Sequence, residues 1–302
     1  MLRAVLLVAG LIGVGLVLRP LAWVPGSGLP VRLPLVLEQR GSSSTVLVLG
    51  LDRRGGEIAR TDTILLARMG PLGQPPTVLS IPRDLWVQIP GKGEDRINTA
   101  FAWGELGTGN GALLAKRTIE EDFGVRVDRV AVVDFSCFQA AVDAAGGVTI
   151  DVPQRLVDES YPSESGGVMR VVFEQGRQTI TGERALQYVR TRATDSDFGR
   201  IRRQQQVLSA IANRLHDPLV ATRIARSVIA RCPDAGTDVS LADVALFGAL
   251  SVGGAPRFEL LDESTVTPVT LASGAQILQP RWERIRPMVA DIFGGRQIAR
   301  PT

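Results

Sequence analysis

Five arginines, Arg190, Arg192, Arg200, Arg202 and Arg203, crowd one short stretch with Asp195 and Asp197 set between them. A guanidinium is a planar fork that binds two oxygens of a phosphate or carboxylate at once. Such density in a chain of net charge +3 points to an anionic guest. Arg200, Arg203, Gln204 and Val207 follow i, i+3, i+4, i+7 spacing, which on a helix makes one stripe near the positive N-terminal end. A second group is Asp52, Arg60, Asp62 and Arg83, each beside the end of a short apolar run. Two carboxylates plus substrate phosphates is how proteins usually hold Mg²⁺, which keeps several waters. Asp52 and Asp62 bracket one glycine-containing loop and can meet over a single cation, with Arg60 and Arg83 facing the same spot. The plainer reading is a solvated basic helix and acids that cap loops. The basic residues are all arginine except Lys92 and Lys116, a bias that composition alone can produce.

These residues need elements to position them. The apolar runs at 45–50, 63–67 and 77–81 read as buried strands delivering charged residues to their ends. Ligand sites in open α/β sheets sit at such ends. Residues 182–190 read as a helix with Thr181 as N-cap and Glu183 in its first turn, and Arg190 and Arg192 leave its end. A second helix begins near Phe198, capped by Ser196 or Asp197, with Ile201, Leu208, Ile211 and Leu215 on its buried side. Asn98 is expected to cap a short helix, 112–123 to form another ended by Gly124, and 135–145 a third. Strands at 130–133, 148–152 and 168–173 complete an alternating pattern that argues for a layered α/β fold. Later, 219–230, 241–250 and 282–293 read as helices and 257–261 as a strand.

A chain of 302 residues, 45% hydrophobic and 22% charged, can bury a sizeable core. The pI of about 9.3 favours anionic partners without choosing among nucleic acid, lipid head groups and phosphorylated glycans. Residues 4–18 are uncharged and apolar, the pattern of a signal sequence or a short signal anchor, and 21–24 extend it toward the roughly 20 residues a span needs. A Pro/Gly/Ser-rich tether follows over 25–44. Cys137 and Cys232 have no metal spacing; in an exported protein they either pair or stay as two buried thiols. His216, before Asp217-Pro218, reads as structural.

The pieces Gly50-Leu-Asp52, Arg60-Thr-Asp62-Thr-Ile, Ser80-Ile-Pro-Arg-Asp84, Arg96-Ile-Asn98-Thr-Ala, Gly146-Gly-Val-Thr-Ile-Asp151, Gly182-Glu-Arg-Ala-Leu, Tyr188-Val-Arg-Thr-Arg192 and Asp197-Phe-Gly-Arg200-Ile-Arg-Arg203-Gln204 occur in this order. Together they resemble the LytR-CpsA-Psr family of bacterial cell-envelope proteins. The resemblance implies a three-layer α/β/α sandwich with a central mixed sheet, extracytoplasmic behind a membrane helix. Its domains would be an anchor at 1–24, the tether, a catalytic domain at 45–235 and an extension at 236–302 packing on or completing it.

The implied activity is transfer of a glycopolymer from a polyprenyl-pyrophosphate carrier to a cell-wall acceptor, commonly peptidoglycan. Asp52 and Asp62 would hold Mg²⁺, while Arg60, Arg83, Arg190, Arg192, Arg200 and Gln204 would contact the pyrophosphate, Asp197 supporting the arginines. Asp62, Arg83, Arg190 and Arg192 would be the catalytic set, and apolar helices would house the prenyl tail. Three rivals share these residues: a lipid-pyrophosphate hydrolase, a non-catalytic lipid binder and a nucleic-acid-binding regulator. Aspartates inside the basic run count against the last.

Overall fold

The computed structural model describes residues 43–52, 60–70, 74–163, 166–191, 197–232, 238 and 256–294. The proposed anchor, the tether through residue 42, Arg192 and the predicted helix at 241–250 lie outside the described residues, and the last tether residue, Ser44, already belongs to the first strand. Among the described residues no helix is long and apolar enough to cross a membrane.

The central sheet begins with three consecutive antiparallel strands, β1 (Ser44–Asp52), β2 (Arg60–Met69) and β3 (Thr77–Ile81). Farther along the chain, β6 (Arg129–Val133) adds parallel to β1, and β11 (Arg257–Leu260) parallel to β3. The sheet is therefore mixed, in the order β11-β3-β2-β1-β6. A helix crossover is what parallel neighbours require. Between β3 and β6 lie the hairpin β4 (Trp86–Ile89) and β5 (Gly93–Arg96) and the helices α1 (Thr99–Thr108) and α2 (Gly111–Phe123).

Alternation along the strands decides what each face holds. Leu47, Leu49, Ile64, Leu66, Leu79 and Ile81 point to one side and pack with Phe101 of α1, Ile119 and Phe123 of α2, and Ile285 and Val289 of α7 (Trp282–Phe293). Val46, Leu65, Ala67 and Val78 point to the other side, where Val48 and Leu208 join them. Leu208 belongs to α5 (Asp197–Arg214). Helices thus cover both faces. Residues beyond 256 complete this body, since β11 extends the sheet and α7 fills its core, with Trp282 edge-on to Phe123 at 5.3 Å. A second hairpin, β12 (Val266–Thr270) and β13 (Gln276–Pro280), follows β11. In the turn before it the Ser264 hydroxyl donates to Asp262 and holds that carboxyl below its ordinary pKa.

A smaller cluster forms around α3 (Phe135–Ala144), β7 (Val148–Val152), β8 (Leu156–Pro162), β9 (Val168–Phe173), β10 (Gly176–Ile180) and α4 (Gly182–Arg190). Thr181 caps α4 and Glu183 lies in its first turn, as the sequence indicates. Gly182 lets α4 approach α3, because a Cβ there would lie 2.8 Å from the Cα of Gln139, and its N–H donates to Asp143 at 2.7 Å. Backbone gives way poorly, so Gly182→Ala is expected to cost about 1–3 kcal/mol, read as a lower urea midpoint at an unchanged slope.

Two local expectations fail. Asn98 precedes α1 in helical conformation and makes no side-chain cap; its main chain is engaged instead, donating to the Arg83 carbonyl at 3.2 Å and accepting from the Thr61 N–H at 3.3 Å. On α5 the arginine stripe is also split. Val207 is fully buried and Arg203 turns inward, its Nε donating to the Tyr188 carbonyl at 3.0 Å and its Nη2 to that of Thr191. The cysteines pair: Cys137 of α3 is joined to Cys232, which ends α6 (Pro218–Arg231). His216 is exposed in the turn between α5 and α6.

Candidate functional site

β1, β3 and β6 run in one direction and β2 in the other, so the ends of the first three and the start of β2 share one edge of the sheet. Asp52, Asp62, Arg83 and Asp134 are placed there by chain geometry alone. Asp62 has a further device. Gly50 pairs with Thr63 and Leu51 with Thr61, which leaves Asp62 as the extra residue of a β-bulge, the feature that re-aims a side chain next to a site. Gly50 matters for the same reason, since a Cβ on it would come within 2.8 Å of the Thr63 Cβ.

Behind this edge, on the face carrying Val48 and Leu65, lies a cavity of about 750 Å³. Its apolar wall comes from the sheet (Val48, Leu65), α3 (Phe135, Phe138), α4 (Leu186, Val189) and α5 (Leu208). Asp62, Arg190, Arg200 and Gln204 are among its polar lining. Arg200 and Gln204 lie one helical turn apart on α5, as their spacing requires. Arg190, the last residue of α4, stacks over the Phe135 ring with its guanidinium carbon 4.3 Å from the centroid, donates to the Tyr161 hydroxyl at 3.2 Å, and stands 3.9 Å from an Asp52 oxygen. Arg83 reaches the cavity through Asp62, with a 2.8 Å ion pair. Asp84 bridges onward, 3.4 Å from Arg83 and 3.5 Å from Arg96. The arrangement suits a molecule with a long apolar tail and a compact anionic head.

Of the residues singled out in the sequence, Asp62, Arg190, Arg200 and Gln204 share the cavity, and Asp52 and Arg83 join through ion pairs. Arg60 stands exposed at the first position of β2, opposite Asp52, and does not line the cavity. Arg192 and the Asp197 side chain lie outside the described residues. Several site residues were invisible in the sequence. Asp134 accepts from the Cys137 N–H at 2.8 Å and so caps α3, setting Phe135 under Arg190. β8 brings Asp158, Glu159 and Ser160 to the cavity wall, and Asp158 accepts from the Thr191 hydroxyl. The fingerprint of β8 is weak, because its alternation is broken by a second bulge between Asp158 and Tyr161.

A family model described as the LytR_cpsA_psr family matches residues 31–256, about three quarters of the chain. The chain belongs to the LytR_cpsA_psr family. Among curated members, the polyisoprenyl-teichoic acid–peptidoglycan teichoic acid transferase TagU of Oceanobacillus iheyensis is 38% identical over 170 residues, covering 56% of this chain and 50% of TagU. The regulatory protein MsrR of Staphylococcus aureus is 31% identical over 202 residues, 64% of this chain and 57% of MsrR. The chain thus spans about half the length of the curated family relatives it matches. A solved structure of the family protein YwtF (TagT) with bound octaprenyl pyrophosphate lipid superposes with a TM-score of 0.59 at 27% identity, covering 84% of this chain and 91% of that one.

Proposed function

We propose that this protein is a transferase that moves a glycopolymer from a polyprenyl-pyrophosphate carrier to a hydroxyl of a cell-wall acceptor, with peptidoglycan as the acceptor class. The observation that carries the reading is the cavity, which joins an apolar wall to Arg190, Arg200, Gln204 and Asp62. The solved structure of YwtF (TagT) with bound octaprenyl pyrophosphate lipid supports the same ligand class. The catalytic domain is placed outside the cytoplasm behind an anchor in residues 1–24. A paired Cys137–Cys232 supports that placement, since disulfides persist in oxidising compartments.

In the reaction the acceptor oxygen attacks the phosphorus next to the polymer. The bond to the bridging oxygen breaks, and polyprenyl monophosphate leaves carrying the hydroxyl proton, which its second ionisation near neutrality lets it accept. The dianionic pyrophosphate becomes one phosphodiester anion and one monophosphate anion, so charge balances. Arg190 and Arg200 hold oxygens of the pyrophosphate and meet the charge that grows as the bridge opens. Gln204 donates from the same helix face. The apolar wall fixes the prenyl chain and keeps water from the reacting phosphorus, which favours transfer over hydrolysis.

Asp52 and Asp62 fit a magnesium ion. They stand at adjacent strand ends, and two carboxylates joined by substrate phosphates suit a cation that keeps several of its waters. Bound there, Mg²⁺ would supply charge neutralisation at the pyrophosphate. Asp52 faces the Arg190 guanidinium and Asp62 that of Arg83. Carboxylates shared with a cation would hold those guanidinia less tightly and leave them to the phosphate, so cation and pyrophosphate are expected to bind cooperatively, each tightening the other by the same factor. Calorimetry with geranyl pyrophosphate is expected to show affinity about tenfold or more higher with Mg²⁺ than with EDTA, an effect abolished in Asp52→Asn plus Asp62→Asn. Equal affinities would remove the metal from the site.

A further inference from the structure

We propose that Trp103 is a stacking platform for the pyranose rings of the acceptor glycan, on the side of the sheet opposite the lipid cavity. The inference rests on the transferase reading above. It starts from direction: phosphoryl transfer places attacking and leaving oxygens roughly in line. The leaving prenyl phosphate occupies the cavity on the Val48 and Leu65 face, so the attacking hydroxyl arrives across the strand-end edge from the other face, where α1 and α2 pack. The start of α1 is tied to the charged edge, because the Asn98 main chain bonds both Thr61 and Arg83, the neighbours of Asp62 and its ion pair.

Trp103 lies little more than one helical turn onward and is exposed at 37%, which leaves part of its ring open to a ligand. It is nevertheless held. Its indole N–H donates to Asp95 at 3.1 Å, and that carboxylate is itself fixed by the Thr99 hydroxyl at 2.9 Å and the Arg96 N–H at 2.7 Å. Lys92, one of only two lysines in the chain, stands 5.2 Å from the ring centroid. A rigid, electron-rich ring face attracts the polarised C–H bonds of a sugar, while the adjacent carboxylate accepts from its hydroxyls. Leu106, one turn along α1, and Leu113 of α2 are exposed as well. A membrane is the other surface that tryptophan and leucine suit; beside the ring Asp95 repels an anionic bilayer and Lys92 attracts it, so the vesicle arm of the test separates the two.

The test uses the full chain and two soluble probes, an N-acetylglucosamine pentasaccharide and geranyl pyrophosphate, titrated by calorimetry into wild type, Trp103→Ala and Trp103→Phe. The pentasaccharide is expected to bind about tenfold more weakly to Trp103→Ala and nearly normally to Trp103→Phe, with geranyl pyrophosphate affinity unchanged in both. In turnover the same variants should raise KM for the acceptor and leave KM for the donor alone, a split that a merely structural role would not produce. Equal pentasaccharide binding by wild type and Trp103→Ala overturns this inference and leaves the transferase reading intact. Loss of binding to phosphatidylglycerol vesicles in Trp103→Ala with glycan binding retained also overturns it, making Trp103 a membrane contact. Absence of geranyl pyrophosphate binding by wild type defeats the transferase reading itself.

Discussion

Replacing Arg190 with alanine is expected to lower turnover about 10² to 10³-fold while moving the melting temperature by only a few degrees. The size follows from the role, since deleting one preorganised donor to a developing oxyanion costs this much where the site excludes water. Arg190 is preorganised from four directions: it ends α4, lies over Phe135, donates to Tyr161 and faces Asp52. Arg190→Lys is expected to recover little of the loss, because an ammonium neither stacks on the ring as a planar group nor bridges two oxygens. Phe135→Leu should act in the same direction more weakly, through a less firmly held guanidinium. Steady-state rates beside thermal melts check all three, and wild-type turnover in Arg190→Ala would take Arg190 out of the site.

Breaking the Cys137–Cys232 bond should lower stability by about 3–5 kcal/mol. The bond closes a loop with a sequence separation of 95, and the entropy it removes from the unfolded chain grows with that length. In a chain this size such a loss corresponds to a melting temperature lower by roughly 5–8 °C. The effect is expected to be functional as well. The bond staples α6 to α3, and α3 supplies Phe135 and Phe138 to the cavity. Melts of Cys137→Ser plus Cys232→Ser, and of wild type with and without dithiothreitol, should agree; identical melting in all samples would show that the bond adds nothing.

What the sequence made legible is what local chemistry decides. The runs at 45–50, 63–67 and 77–81 appear as β1, β2 and β3, and the charged residues at their ends lie along one edge because neighbouring strands there run oppositely. Arg200 and Gln204 share a wall since a helix places i and i+4 together. The same periodicity misled at Arg203, one position before Gln204. A guanidinium can satisfy carbonyls as well as phosphate, and those of Tyr188 and Thr191, at the end of α4, claim it.

Asp158 and Tyr161 went unread for a different reason. Asp158 lines the cavity and Tyr161 holds Arg190 only because β8 bulges and folds back on β9, pairings that link distant residues and leave no local pattern. Whether Cys137 and Cys232 pair was open for the same cause, since only the packing of α3 on α6 brings their Cα atoms to 4.7 Å.

The most direct test of the central claim is product identification by mass spectrometry. The protein is mixed with a polyprenyl-pyrophosphate oligosaccharide, peptidoglycan fragments and Mg²⁺. The predicted products are polyprenyl monophosphate and a glycan joined to the fragment through a phosphodiester, formed in equal amounts and absent with Arg190→Ala. Free sugar phosphate in place of the phosphodiester would mean that water is the acceptor and the enzyme a hydrolase. Unchanged donor in the presence of demonstrated pyrophosphate binding would contradict catalysis altogether and leave a lipid-binding protein.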